Sequence, residues 1–137
     1  MPVFLDTGYV IALLSPRDHY HDKATALSYT LEQSNARLVT TPAVVFEIGA
    51  AFSRLSHRPA GKQFLDHLHS HPLVDIAPLT PPRYDRAYRL FVGRMDKEWS
   101  LADCLSFVVM EEYGLKDALA ADTHFAQAGF RALLLES

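Results

Sequence analysis

The stretch VFLDTGYV, residues 3–10, decides the fold. Three apolar residues run into a single carboxylate, Asp6, and a Thr-Gly step then restarts an apolar run. A short buried strand that turns directly into a helix produces such a pattern in α/β chains. At that junction a lone aspartate is most often an N-cap, its oxygen accepting a bond from a backbone N–H two or three residues on. One acid is fully explained that way. Several acids aimed at the same place are not, because converging carboxylates repel one another unless a cation lies among them.

The rest of the chain repeats the alternation of strand and helix. Brief apolar runs predict strands at 3–6, 37–40, 74–77, 118–121 and 132–135, each of the kind buried on both faces of a parallel sheet. Helical patterns fill the gaps at 8–14, 21–34, 42–56, 61–70, 82–95, 101–113 and 123–128. The expected architecture is a three-layer α/β/α sandwich around a five-stranded, mainly parallel sheet. A length of 137 residues with about half of them apolar supplies one core, which predicts a single domain over residues 1–137.

Composition narrows the function classes. The N-terminus lacks a basic segment leading into a long apolar stretch, and no run reaches the roughly 20 residues a bilayer needs, so the sequence predicts a soluble, cytoplasmic protein. The single cysteine, Cys104, excludes an intramolecular disulfide and a thiolate zinc cage. A formal charge of -3 argues against a polyanion binder acting through bulk positive charge, while permitting a local basic rim.

Four acids are singled out by position. In a parallel sheet with right-handed crossovers every strand ends on one edge, and ligands bind outside that edge. Asp6 ends the first strand there. Thr41 is a candidate N-cap and Pro42 a first helical residue, which puts Glu47 in the second turn near the same edge. On that helix Val44, Ile48, Ala51 and Leu55 make an apolar stripe, with Glu47 bordering it. Ser100 and Asp103, in WSLADCLSF, have the spacing of a capping box. The helix that follows is apolar nearly all round, so the carboxylate at its head is partly enclosed. Asp122, in ALAADTHF, ends the fourth strand as Asp6 ends the first. Each acid alone is an ordinary cap or turn residue; four on one edge call for a hard divalent cation with oxygen ligands.

The segments VFLDTGYV, TTPAVVFEI, SLADCLSF and AADTHF resemble, in order and spacing, the four signature segments of the PIN-domain ribonucleases. The likeness spans nearly the whole chain and is nearest the small single-domain forms, many of them VapC-type toxins of toxin-antitoxin pairs. It implies that Asp6, Glu47, Asp103 and Asp122 form a catalytic cluster holding one or two Mg2+ or Mn2+ ions, with Thr7 in support. It further implies metal-assisted hydrolysis of an RNA phosphodiester, an antitoxin protein as a partner, and a homodimer. Whether Glu47 ligates the ion or orients and deprotonates the attacking water stays open. Ala120 and Ala121 stand where relatives often carry a Thr, so no substrate-orienting hydroxyl is expected there.

Other readings follow from the same residues. Arg54, Arg58 and Lys62 recur every four residues, with Pro59 interrupting their helix, and Arg83, Arg86 and Arg89 recur every three. Such stripes are ordinarily solvated faces paired with acids, so they are phosphate-contact candidates only. The run HLHSHP, with His67, His69 and His71, reads as a helix terminus rather than a metal site. His124, two residues past Asp122, is placed either to contact substrate or to cap the short helix, and the cap is the preferred reading. Tyr84, Tyr88 and Phe91 share one helix face as candidates for self-association. A receiver-type phosphoacceptor module would carry paired acids after the first strand and a Lys after the fifth, where this chain has Leu5 before Asp6 and Glu136 after the last strand. The alternative that remains is a non-catalytic PIN-like scaffold binding nucleic acid or protein.

Overall fold

A computed structural model describes residues 2–137. Within them the apolar runs become five strands, β1 (Val3–Leu5), β2 (Leu38–Thr40), β3 (Val74–Ile76), β4 (Asp117–Leu119) and β5 (Arg131–Ala132). Every pairing is parallel and the order across the sheet is β3-β2-β1-β4-β5. The connecting helices are α1 (Thr7–Leu14), α2 (His21–Gln33), α3 (Pro42–Ala51), α4 (Arg58–Ser70), α5 (Pro81–Gly93), α6 (Leu101–Tyr113) and α7 (Thr123–Gln127). No helix among the described residues is long and apolar enough to cross a membrane.

The strand order places the site. The chain moves outward from β1 through β2 to β3, then crosses to the other side of β1 to lay down β4 and β5, so the topological switch point lies between β1 and β4. Right-handed crossovers then put α1 to α4 on one face and α5 to α7 on the other. The packing follows that division, with α1 on α2 and α3, α3 on α4, α5 on α6 and α6 on α7, while α3 and α6 also meet across it. The central strand is sealed on both sides, with Phe4 and Leu5 fully buried. Burying each such side chain contributes on the order of 2 kcal/mol. In α6 every residue from Cys104 to Met110 is buried, as its all-round apolar character requires. Phe107 of this helix meets Trp99, Phe125 and Phe130 at ring-centre distances of 5.1, 5.1 and 5.8 Å.

Three expectations need correction. The last strand is cut to two residues, because the chain tightens into a 3-10 turn at Leu133–Leu135. The third helix ends at Ala51 rather than at residue 56: its buried stripe is Val44, Ile48 and Phe52, while Ala51 and Leu55 are exposed. Pro59 does not interrupt a helix but begins α4, in the first turn where its missing N–H costs nothing. Arg54 therefore lies between helices, Arg58 opens α4 and Lys62 follows on it, so the three do not form one stripe.

The junction of α3 and α4 holds the α3 helix in place. A Cβ added at Gly61 would come within 2.6 Å of the Phe52 Cβ, and Phe52 is buried. Gly61→Ala gains helix propensity of roughly 1 kcal/mol yet overpacks this contact, which typically costs about 1 to 3 kcal/mol. The variant is expected to melt at a lower temperature than the parent. A melting temperature equal to or above the parent's would contradict this account of the helix pair.

Candidate active site

Asp6 follows the last residue of β1, with its backbone N–H bonded to the Leu119 carbonyl at 3.2 Å. That bond ties the end of β1 to β4 at the switch point. Asp6 occupies the N-cap position of α1 in extended conformation, but its side chain makes no capping hydrogen bond. Thr41, Thr80, Ser100 and Asp122 do cap their helices through side-chain oxygens. Asp6 is only 9% exposed. Burial pushes its carboxyl from 3.8 up to about 7; the Thr7 backbone N–H opposes the rise, and the negative charges of Asp103, Glu47 and Asp122 add to it. The charges of all three other acids act on this one carboxyl, while the close grouping of ligand atoms brings together Asp103 and Asp122 without Asp6 or Glu47.

The neighbouring elements fix the remaining acids. Thr40 Oγ1 donates to the Leu5 carbonyl at 2.8 Å, locking β2 to the end of β1, and the next residue, Thr41, caps α3 by accepting from the Val44 N–H. That fixed start carries Glu47 to the rim of the site. Glu47 is exposed, and its Oε1 accepts a 2.8 Å hydrogen bond from the Thr7 hydroxyl. Asp103 sits in a complete capping box: its N–H donates to Ser100 Oγ at 2.9 Å and its Oδ2 accepts from the Ser100 N–H at 3.1 Å. Its side chain is 16% exposed. The helices bearing Glu47 and Asp103, α3 and α6, touch one another. Asp122 caps α7 by accepting from the His124 N–H at 2.9 Å, and its side chain is 44% exposed.

His124 is the residue the sequence reading left out of the site. Its Nδ1 lies 3.0 Å from Asp103 Oδ2 and 3.2 Å from Asp122 Oδ2. Ligand atoms of these three residues all lie within 4.8 Å of one another. The sequence signal was the spacing Asp-x-His at a helix start, which folds the histidine ring back over its own cap. The basic stripes behave as solvated faces: Arg83 and Arg86 both bond to Glu112, Arg89 pairs with Asp85, and Lys62 with Asp66. His69 Nδ1 contacts the Leu65 carbonyl of its own helix, and His67 and His71 lie ring to ring at 4.9 Å. Tyr84, Tyr88 and Phe91 are exposed on α5, so they do not face the core.

The donor chemistry fits a divalent cation. Four carboxylates on one edge offer hard oxygen ligands, and at the buried Asp6 carboxylate the Thr7 backbone N–H offsets only part of the desolvation, the carboxyl still being pushed up to about 7.

A doubly wound parallel sheet with acids gathered at its switch point defines a class of α/β protein whose ligand site lies at the carboxyl ends of the strands. The chain belongs to the PIN domain family, whose model matches residues 3–131. It is 28% identical over 129 residues to a 23S rRNA-specific endonuclease, VapC20 of Mycobacterium tuberculosis, covering 93% of this chain and 95% of that one. The crystal structure of that VapC20, described as a sarcin-ricin loop cleaving toxin, superposes with a TM-score of 0.80 at 26% identity, over 95% of this chain and 97% of the other. FitAcB from Neisseria gonorrhoeae shares the fold, with a TM-score of 0.66 at 21% identity over 96% and 95% of the two chains.

Proposed function

We propose that this chain is a single-domain, metal-dependent endoribonuclease and the toxin of a VapBC-type toxin-antitoxin pair, working in the cytoplasm. The observation that carries the reading is the Asp6 carboxylate, buried, without a capping bond, and under the charge of three other acids. A scaffold that only binds a partner gains nothing from that arrangement, which is costly in the absence of a cation. Likeness to VapC20 over nearly the full length of both chains supports ribosomal RNA as the substrate class.

In this reading Asp6, Asp103 and Asp122 hold one or two Mg2+ or Mn2+ ions. A divalent cation bound there reverses the sign of the pocket toward phosphate and supplies Lewis acidity at the phosphoryl oxygen. The chain's own groups do the positioning. Thr7 holds Glu47 Oε1, which leaves the second carboxylate oxygen to ligate the ion or to take the proton of an attacking water. The Ser100 capping box keeps Asp103 in one rotamer, and the Asp122 cap does the same at the end of β4. Two exposed apolar surfaces suit protein partners. The α5 face with Tyr84, Tyr88 and Phe91 is assigned to a second copy of the chain. Phe46 and Leu55, 77% and 89% exposed, are the second surface.

Purified protein with Mg2+ or Mn2+ is expected to cut ribosomal RNA, leaving 5′-phosphate and 3′-hydroxyl ends, and EDTA is expected to stop it. Asp6→Asn keeps the shape and removes the charge, so turnover should fall by orders of magnitude with the fold intact. Cleavage that survives both EDTA and Asp6→Asn would reject the mechanism. For the dimer, light scattering at micromolar concentration should return twice the chain mass of 15.4 kDa, and a single-chain mass contradicts it.

A further inference from the structure

We propose that His124 Nδ1 is itself a ligand of the cation held by Asp103 and Asp122, and that this nitrogen biases the centre toward Mn2+ over Mg2+. The proposal rests on the reading of the acidic cluster as a metal centre and adds a donor of a different chemical kind to it.

Three observations carry it. The capping role of His124 is already filled by its backbone, because its N–H serves Asp122 Oδ1; the ring is not needed for that. Instead the ring turns inward, 24% exposed, and brings one nitrogen against two carboxylates from different elements, α6 and the end of β4. A single Nδ1 proton cannot serve Asp103 Oδ2 at 3.0 Å and Asp122 Oδ2 at 3.2 Å with two good hydrogen bonds. A shared cation serves all three atoms at once. Neighbouring ligands of a six-coordinate ion with bonds of roughly 2.1 Å stand about 3 Å apart, the spacing Nδ1 already has from each carboxylate oxygen. Asp6 adds a second carboxylate environment that a cation would relieve, being 9% exposed and making no side-chain cap bond to α1.

The ligand set decides selectivity. Mg2+ gives up water reluctantly and takes oxygen donors, whereas imidazole nitrogen favours the later, more polarisable ions of the first transition row. One nitrogen among several oxygens therefore strengthens Mn2+ binding and does little for Mg2+.

Pulsed electron paramagnetic resonance on the Mn2+-loaded full-length chain reads the bond directly. The expected spectrum shows 14N coupling from a directly bound imidazole, and His124→Gln removes that coupling while Mn2+ still binds and the circular dichroism spectrum is unchanged. In titrations the same variant should lose about tenfold in Mn2+ affinity and stay within about twofold for Mg2+. Bound Mn2+ without imidazole coupling, or coupling that persists in His124→Gln, overturns the inference and leaves the acidic metal centre standing. A manganese signal that stays that of the free aqua ion overturns both.

Discussion

The structure depends on the desolvation of one carboxylate. Asp6 stands at the end of the central strand, between Leu5, which is fully buried, and a helix that starts without its help. Removing an ionised carboxylate from water is strongly unfavourable without a partner. Here the nearest charges have the same sign and push its carboxyl further up. Every other element around it is arranged so that this carboxylate stays where it is: the Asp6 N–H is bound to β4, and Thr40 of β2 holds the preceding carbonyl.

The fold explains how acids far apart in sequence share that edge. A parallel sheet ends all its strands together, and the order β3-β2-β1-β4-β5 opens a gap beside β1. Asp6 directly follows β1, and Asp122 caps α7 three residues beyond the end of β4, the two strands that flank the gap. Glu47 and Asp103 come from helices that begin at the same edge and touch. Side-chain caps at Thr41, Ser100 and Asp122 set the start of each helix, so precision in the site is inherited from local backbone chemistry rather than from long loops.

Much of this was legible in the sequence because the signals are local. A capping box has a fixed spacing, and the Ser100 and Asp103 pair appears as read; so does the Thr41 cap followed by Pro42. The five strands were legible as short apolar runs, though β5 was not distinguishable from the 3-10 turn that continues it. The end of α3 was misplaced because Leu55 continues a helical spacing that the chain itself abandons after Phe52, where Gly61 lets α4 pack closely. The contact of His124 with Asp103 was not legible because it spans 21 residues and two elements. The absence of a capping bond at Asp6 was equally invisible, since N-cap residue type and position were both present.

Melting temperature against pH, for the parent chain and Asp6→Asn, tests the central claim most directly. A carboxyl at about 7 when folded and 3.8 in its ordinary state binds a proton in the folded protein that the unfolded chain has lost, so stability falls as pH rises through that window, by about 1.4 kcal/mol per unit at most. In EDTA, Asp6→Asn should therefore melt higher than the parent, by a margin that grows from pH 4 to about 7 and then levels. Millimolar Mn2+ at pH 7.5 should raise the parent and leave Asp6→Asn nearly unmoved, because a ligand that binds only the folded state stabilises it by mass action. A margin that is the same at every pH and indifferent to Mn2+ would contradict the account.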